Sequence, residues 1–112
     1  MKGVATLINA DTTGSLTGAT FTPTYSARGY PLQPVVKFQA YETGTGAITA
    51  TVLIEGSNDA TYSTWVTLAT ITLSGTTTAS DGYATIADWP NVRARTTAIS
   101  GTSAAVTVTM AI

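Results

Sequence analysis

The stretch from Ala104 to Ile112 reads AAVTVTMAI, and from Val106 to Met110 apolar and hydroxyl-bearing side chains alternate. Successive side chains of an extended chain point to opposite faces, so one face carries valine, methionine and isoleucine and the other carries threonine. The pattern predicts a half-buried β-strand whose core-facing residues are Val106, Val108, Met110 and Ile112.

The same alternation recurs in two segments further upstream. Residues 47–55 read AITATVLIE, which puts isoleucine, alanine and valine on one face, at Ile48, Ala50, Val52 and Ile54. Residues 35–42 do the same with Val36, Phe38 and Ala40. Threonine and valine favour extended backbone because their branched Cβ atoms pack well on a pleated surface. We therefore predict an all-β protein.

Short stretches of small and polar residues, rich in glycine, serine and threonine, separate these segments. They occur at 43–46, 75–81 and 100–103, and each predicts a tight turn or loop. The last of them would close a hairpin between residues 92–99 and 104–112. Counting seven or eight strands at this spacing, we predict one domain over residues 1–112, an antiparallel β-sandwich of jelly-roll type.

The composition argues against several classes of partner and location. A chain of 112 residues holds one core, and only 10% of its residues are charged. A net charge of −1 with five basic residues gives no electropositive footprint, so nucleic acid is not an expected partner. No apolar run approaches a membrane span, no secretory leader is recognisable, and the chain has no cysteine. We expect synthesis in a cytoplasm.

Catalytic chemistry is not indicated. The chain has no histidine and no cysteine, which removes the commonest general base and the strongest nucleophile. No spacing pairs any of the six carboxylates, which are Asp11, Glu42, Glu55, Asp59, Asp81 and Asp88. The segment Ser57-Asn58-Asp59 offers one carboxylate, which favours an Asx-type turn over a calcium site. We predict no enzyme activity, no catalytic residue, no cofactor and no metal.

A proline-rich segment at residues 23–34 interrupts the strand pattern. Its three prolines remove donors from any strand ladder, so it is a loop or an extended arm. Tyrosine and arginine are enriched at interface hot spots, which makes this arm the candidate partner interface, through Tyr25, Arg28, Tyr30 and Leu32. A crossover loop lying on the domain's own surface is an equal alternative.

Four aromatic residues lie near predicted loop ends: Tyr62, Trp65, Tyr83 and Trp89. Exposed aromatic rings stack on sugars or fill protein pockets. Two tryptophans in a small β-domain more often close the ends of the core, and we favour that interpretation for Trp65 and Trp89.

Two stretches resemble a known group of proteins. One is VLIEGSND at 52–59, followed by WVTL at 65–68; the other is WPNVRAR at 89–95, which leads into the threonine-rich segment up to Ile112. Together they resemble the small β-sandwich and jelly-roll proteins that decorate the heads of tailed bacteriophages, called cement, staple or decoration proteins. Similar patterns occur in discoidin-like sugar-binding sandwiches and in phage tail modules.

The resemblance implies a structural virion protein on the capsid exterior. Its partners would be the major capsid protein and itself, as a dimer or trimer, and it would reinforce contacts between capsid subunits. The alternative is a carbohydrate-binding or adhesion module of a phage tail or surface appendage, with Tyr62, Trp65 and Trp89 as stacking platforms.

Overall fold

Four strands pair into one antiparallel sheet in the computed structural model, which describes residues 4–20, 35–59, 61, 63–86 and 89–111. The strands are β1 (Val4–Asp11), β2 (Val35–Ser57), β3 (Val66–Ile86) and β4 (Asn91–Ala111), in the order β1-β4-β2-β3. The all-β antiparallel class is confirmed. These described ranges hold no helix long and apolar enough to cross a bilayer.

The predicted strand number is wrong. The sequence predicts seven or eight strands in a jelly-roll-like sandwich, whereas the described residues form four strands in one sheet. The predicted turns at 43–46, 75–81 and 100–103 lie inside β2, β3 and β4, where the ladders continue on both sides of them. Segments 92–99 and 104–112 therefore do not pair as a hairpin; residues up to Ala111 belong to the same strand, β4.

The residues predicted to form turns instead form local irregularities within the strands. Positive φ angles occur at Gly46 (76°), Thr77 (66°), Gly101 (128°) and Ser103 (54°), and the register of the ladders shifts around them. A residue with positive φ fits a β-bulge as well as a turn, because both place extra backbone where the pleat is interrupted. Whether the chain reverses is decided by the strand that lies alongside.

The sheet bends across these irregularities. Twenty-three extended residues would span about 76 Å at about 3.3 Å per residue, but the longest axis of the molecule is 49 Å. Near one edge, Gly18 donates its N–H to Ala94 O at 2.8 Å, and a Cβ on Gly18 would lie 2.4 Å from Leu7 O. Ile8, the neighbour of Leu7, pairs with Val108 near the other end of β4. Gly18 therefore lies close both to one end of β4 and to the strand that pairs with its other end, which requires β4 to bend.

The bend closes the apolar face of the sheet over itself. The alternating residues predicted for β2 are all buried, at Val36, Phe38 and Ala40 in one part and Ile48, Ala50, Val52 and Ile54 in the other. Within β4, Val106, Val108 and Met110 are also buried as predicted. Except for Ile48, these residues join Leu7, Ile8, Ile71, Leu73, Val92 and Ala94 in one hydrophobic cluster.

Asp11 ties the end of β1 to the bent part of β4. Its carboxylate accepts hydrogen bonds from Thr13 N (2.9 Å), Thr13 Oγ1 (2.7 Å), Gly14 N (3.2 Å) and Thr96 Oγ1 (2.5 Å). Burial by itself raises the pKa of Asp11, but the hydrogen bonds from Thr96, Thr13 and Gly14 outweigh it and lower the pKa. The buried carboxylate is thus stabilised in its charged form.

We expect Gly18→Ala to lower the free energy of unfolding by roughly 1–3 kcal/mol, the usual cost of overpacking. The added methyl would meet two backbone carbonyls, Leu7 O at 2.4 Å and Ala94 O at 3.0 Å, which cannot move without opening the bend. Urea unfolding measures the change. Ala19→Ser adds one atom at the exposed neighbouring position and should change stability by less than about 0.5 kcal/mol. Equal effects of the two substitutions would contradict the close approach.

Candidate functional site

Two arginines and a glutamate meet on the outer face of the sheet, opposite the hydrophobic cluster. Arg93 and Arg95 are two residues apart on β4, so they share a face, while Val92 and Ala94 point into the core. On the adjacent strand β2, Glu55 pairs in register with Arg93. Strand alternation and register together therefore place one carboxylate between two guanidinium groups.

The side chains make a connected ion-pair network. Arg93 Nε donates to Glu55 Oε1 at 2.8 Å, and Arg95 Nη2 donates to Glu55 Oε2 at 3.2 Å. A longer contact of 3.4 Å joins Arg95 Nε to Glu55 Oε1. The Glu55 side chain is 6% exposed, against 21% for Arg93 and 36% for Arg95. The carboxylate is buried beneath arginines that reach the surface.

Trp65, the residue immediately before β3, completes the network. The guanidinium carbon of Arg93 lies 4.0 Å from the centroid of the Trp65 ring, a cation–π contact. Thr67, two residues further along, pairs with Glu55, so the strand register brings the ring to this site. We call Glu55, Trp65, Arg93 and Arg95 the outer-face cluster.

The electrostatics of the outer-face cluster favour an ionised Glu55. Burial raises the pKa of this carboxyl, but hydrogen bonds from Arg95 and Arg93 and their positive charges lower it overall. Two guanidinium groups against one carboxylate leave an excess of positive charge. Planar guanidinium groups suit carboxylates and carbonyl oxygens, and a neighbouring aromatic ring adds contact area. The cluster is therefore suited to bind a polar or acidic protein surface.

The predicted Asx-type turn at Ser57-Asn58-Asp59 is confirmed. Asp59 N donates to Ser57 Oγ at 2.9 Å, and Asp59 Oδ1 accepts from Thr61 N (2.8 Å) and Thr61 Oγ1 (2.7 Å). Ser63 N and Oγ donate to Asp59 Oδ2 at 3.0 and 2.5 Å. Hydrogen bonds from Ser63 and Thr61 lower the pKa of Asp59 well below its usual range. This turn lies between the end of β2 and Trp65.

The predicted aromatic set is divided between the two faces. Trp89 packs against the hydrophobic cluster and closes over Gly56, where a Cβ would lie 2.8 Å from the ring. Tyr83 stacks on Phe38 with ring centroids 6.5 Å apart. The core interpretation therefore holds for Trp89, whereas Trp65 lies on the outer face under Arg93. Tyr62 lies outside the described residues.

The predicted arm interface is not part of this site. Tyr25, Arg28, Tyr30 and Leu32 all lie outside the described residues, so the arm remains a prediction. Among the residues that the structure describes, no group of three or more acidic, histidine or cysteine side chains is placed to hold a metal ion.

Glu42 is a second buried carboxyl, on the apolar face. It is fully buried, and neither carboxyl oxygen has a hydrogen-bond partner among the described residues. It shares a row of the sheet with Asp11, since both pair with Val106. Burial raises the pKa of Glu42, so the neutral acid is favoured. This group weakens the fold when it ionises.

Sequence reasoning missed the outer-face cluster as a unit. One signal was present, since Arg93 and Arg95 occupy alternate positions and must share a face. The pairing of Glu55 with Arg93 depends on strand register, which alternation does not give.

Comparisons of the chain with protein-family models, with curated proteins and with solved structures found no match. The function is therefore argued from the geometry and from the sequence.

We expect Glu55→Gln to lower the free energy of unfolding at pH 7 by about 1–3 kcal/mol, because two guanidinium groups lose their counter-charge. The pKa of Glu55 is lower in the folded protein than its ordinary value of 4.5. Ionised Glu55 therefore stabilises the fold at pH values above 4.5, and this stabilisation is lost as the pH falls below that value. The deficit of the variant should shrink as the pH falls below that value. Urea unfolding at several pH values measures it, and a pH-independent deficit would contradict the ion-pair network.

Glu42→Gln should show the opposite trend. A raised folded-state pKa stabilises the fold below the ordinary value of 4.5, and this contribution is lost as the pH rises through the raised pKa. The stability of the wild type relative to the variant should fall with rising pH by about 1.4 kcal/mol for each unit of the shift. Asp81→Asn, at an exposed carboxylate on β3, is the control. If stability changed with pH in Glu42→Gln as it does in Glu55→Gln, the raised pKa of Glu42 would be contradicted.

Proposed function

We propose that this chain is a non-catalytic structural protein that attaches to a larger protein assembly through its outer-face cluster. The assembly we propose is the outside of a bacteriophage capsid, where the protein would reinforce contacts between major capsid subunits.

The outer-face cluster carries the proposal. Tryptophan and arginine are the residue types most enriched at protein-binding hot spots. Glu55 holds both guanidinium groups in place, so a partner would not bear the full entropic cost of ordering them. The contacts to Glu55 use only part of their N–H donors. The site is thus ordered in advance and retains hydrogen-bonding capacity toward a partner.

The choice of a capsid rests on the resemblance of residues 52–59, 65–68 and 89–95 to decoration proteins. All four residues of the outer-face cluster fall within these stretches. Decoration of a repeating surface is multivalent, so several weak contacts produce tight attachment. The arm residues Tyr25, Arg28, Tyr30 and Leu32 would be a second contact of the same kind.

A carbohydrate-binding module is the alternative proposal, and the geometry supports it less. This alternative uses Trp65 and Trp89 together as stacking platforms, which requires both rings to be exposed on one surface. Trp89 packs against the core by Gly56, whereas Trp65 lies on the outer face with Arg93 over its ring. The two tryptophans therefore lie on different faces of the sheet and do not form one platform.

We expect the double variant Trp65→Ala/Arg95→Ala to bind undecorated heads of the cognate phage about 30-fold more weakly than the wild type. This factor corresponds to about 2 kcal/mol, the level of a binding hot spot. Copies bound per head, counted by cryo-electron microscopy over a concentration series, measure the loss.

Thr97→Ala is the matched control, because Thr97 is exposed on the same strand and face. It should bind as the wild type does. Unchanged occupancy by a folded double variant would remove the outer-face cluster from the interface. If the wild-type protein does not bind phage heads but does bind glycans on an array, the carbohydrate alternative would be favoured.

A further inference from the structure

The outer side of β3 is a long sheet edge. In the order β1-β4-β2-β3, β3 pairs with β2 on one side, and no other described strand lies along its opposite side. β3 runs for 21 residues. An edge strand presents a row of backbone N–H and C=O groups that can pair with another chain.

The two edges of the sheet differ in how they are protected. β1 has eight residues, two register shifts and a positive φ of 50° at Ala10, all of which discourage further pairing. In β3, residues 69–76 pair with β2 residue by residue without any shift. From Val66 to Ser80 the chain has no charged residue and no proline. We call residues 69–75, which are centred on Thr72, the β3 edge segment.

We propose that the β3 edge segment pairs antiparallel with the same segment of a second copy of this chain, around a two-fold axis at Thr72. The two four-stranded sheets would then join into one continuous sheet of eight strands. This inference does not depend on the proposed function, because it uses none of the residues of the outer-face cluster.

The pattern of the segment is complementary to itself. An axis at Thr72 places Ile71 opposite Leu73 of the second copy, and both belong to the apolar face, with exposures of 3% and 1%. On the exposed outer face, Thr70 meets Ser74 and Thr72 meets its own equivalent. Ile71 and Leu73 are already buried within their own monomer, so the new side-chain contacts form between hydroxyl groups on the outer face, and no polar side chain faces an apolar one.

Charge also favours a second copy as the occupant. The segment carries no charge, so two copies can approach without like charges opposite each other. The β3 edge segment also has no charged side chain that would attract a charged strand of another protein. The whole chain has a net charge of −1, so repulsion between copies is small. A two-fold pairing uses the β3 edge of both copies and leaves only the two protected β1 edges, so it closes as a dimer instead of growing into a fibre.

Thr72→Cys tests the geometry directly, because the chain has no other cysteine. Residues opposite each other across an antiparallel pair have Cβ atoms about 4.5–5.5 Å apart, which small movements bring within disulfide range. Under mild oxidation we expect most of the variant to run as a covalent dimer on a non-reducing gel at micromolar concentration.

Two variants control for random collision. Thr51→Cys lies beside Thr72 on β2, one strand in from the edge, and Thr6→Cys lies at the β1 edge. Both should form at least tenfold less dimer at the same time point. Equal cross-linking of all three variants would overturn the proposal.

A charge exchange tests the same contact without cross-linking. We expect sedimentation velocity to show a wild-type dimer, with Thr72→Lys and Thr72→Glu each weakening dimerisation at least tenfold because like charges face each other. Mixing the two variants should restore the dimer, and Thr51→Lys should dimerise as the wild type does. A monomeric wild type, or a mixture that stays monomeric, would overturn the proposal.

Discussion

The pairing of β2 along both of its sides is the constraint on which the rest of the structure depends. β2 holds β3 on one side and β4 on the other over nearly its whole length, so three strands of more than 20 residues must follow the same path. A flat sheet of such strands would leave one apolar face in water. The bend across the bulges lets one face cover itself, which buries the apolar area that stabilises a chain of this size.

The two buried carboxyls on the apolar face differ in the hydrogen-bond donors that surround them. Asp11 and Glu42 flank Val106 on one row of the sheet. Asp11 lies at the bend, where Thr13, Gly14 and Thr96 donate to it, so its charge is compensated. Glu42 lies on the central strand, where the neighbouring backbone groups are engaged in the ladders. A charged carboxylate without donors is costly, so Glu42 favours its proton.

The two surfaces proposed for binding have different chemistry. The outer-face cluster offers charge and an aromatic ring, held by an ion pair between adjacent strands, and such sites give specificity toward a partner of complementary charge. The β3 edge segment offers backbone groups and hydroxyls without charge, which suits a partner of the same composition. Because the two surfaces share no residue, one molecule can use both: one for a sister copy and the other for the assembly that it decorates.

The sequence by itself determined the strand class and which side chains face inward. Alternation at 35–42, 47–55 and from Val106 onward is a local property of extended backbone, and the structure follows it. It also marked where the backbone would depart from the pleat. The tertiary structure decided that these departures are bulges in three long strands, that Glu55 meets Arg93, and that the two tryptophans lie on different faces. Each of these outcomes depends on which distant strand lies alongside and in what register, and a period of two residues carries no information about that choice.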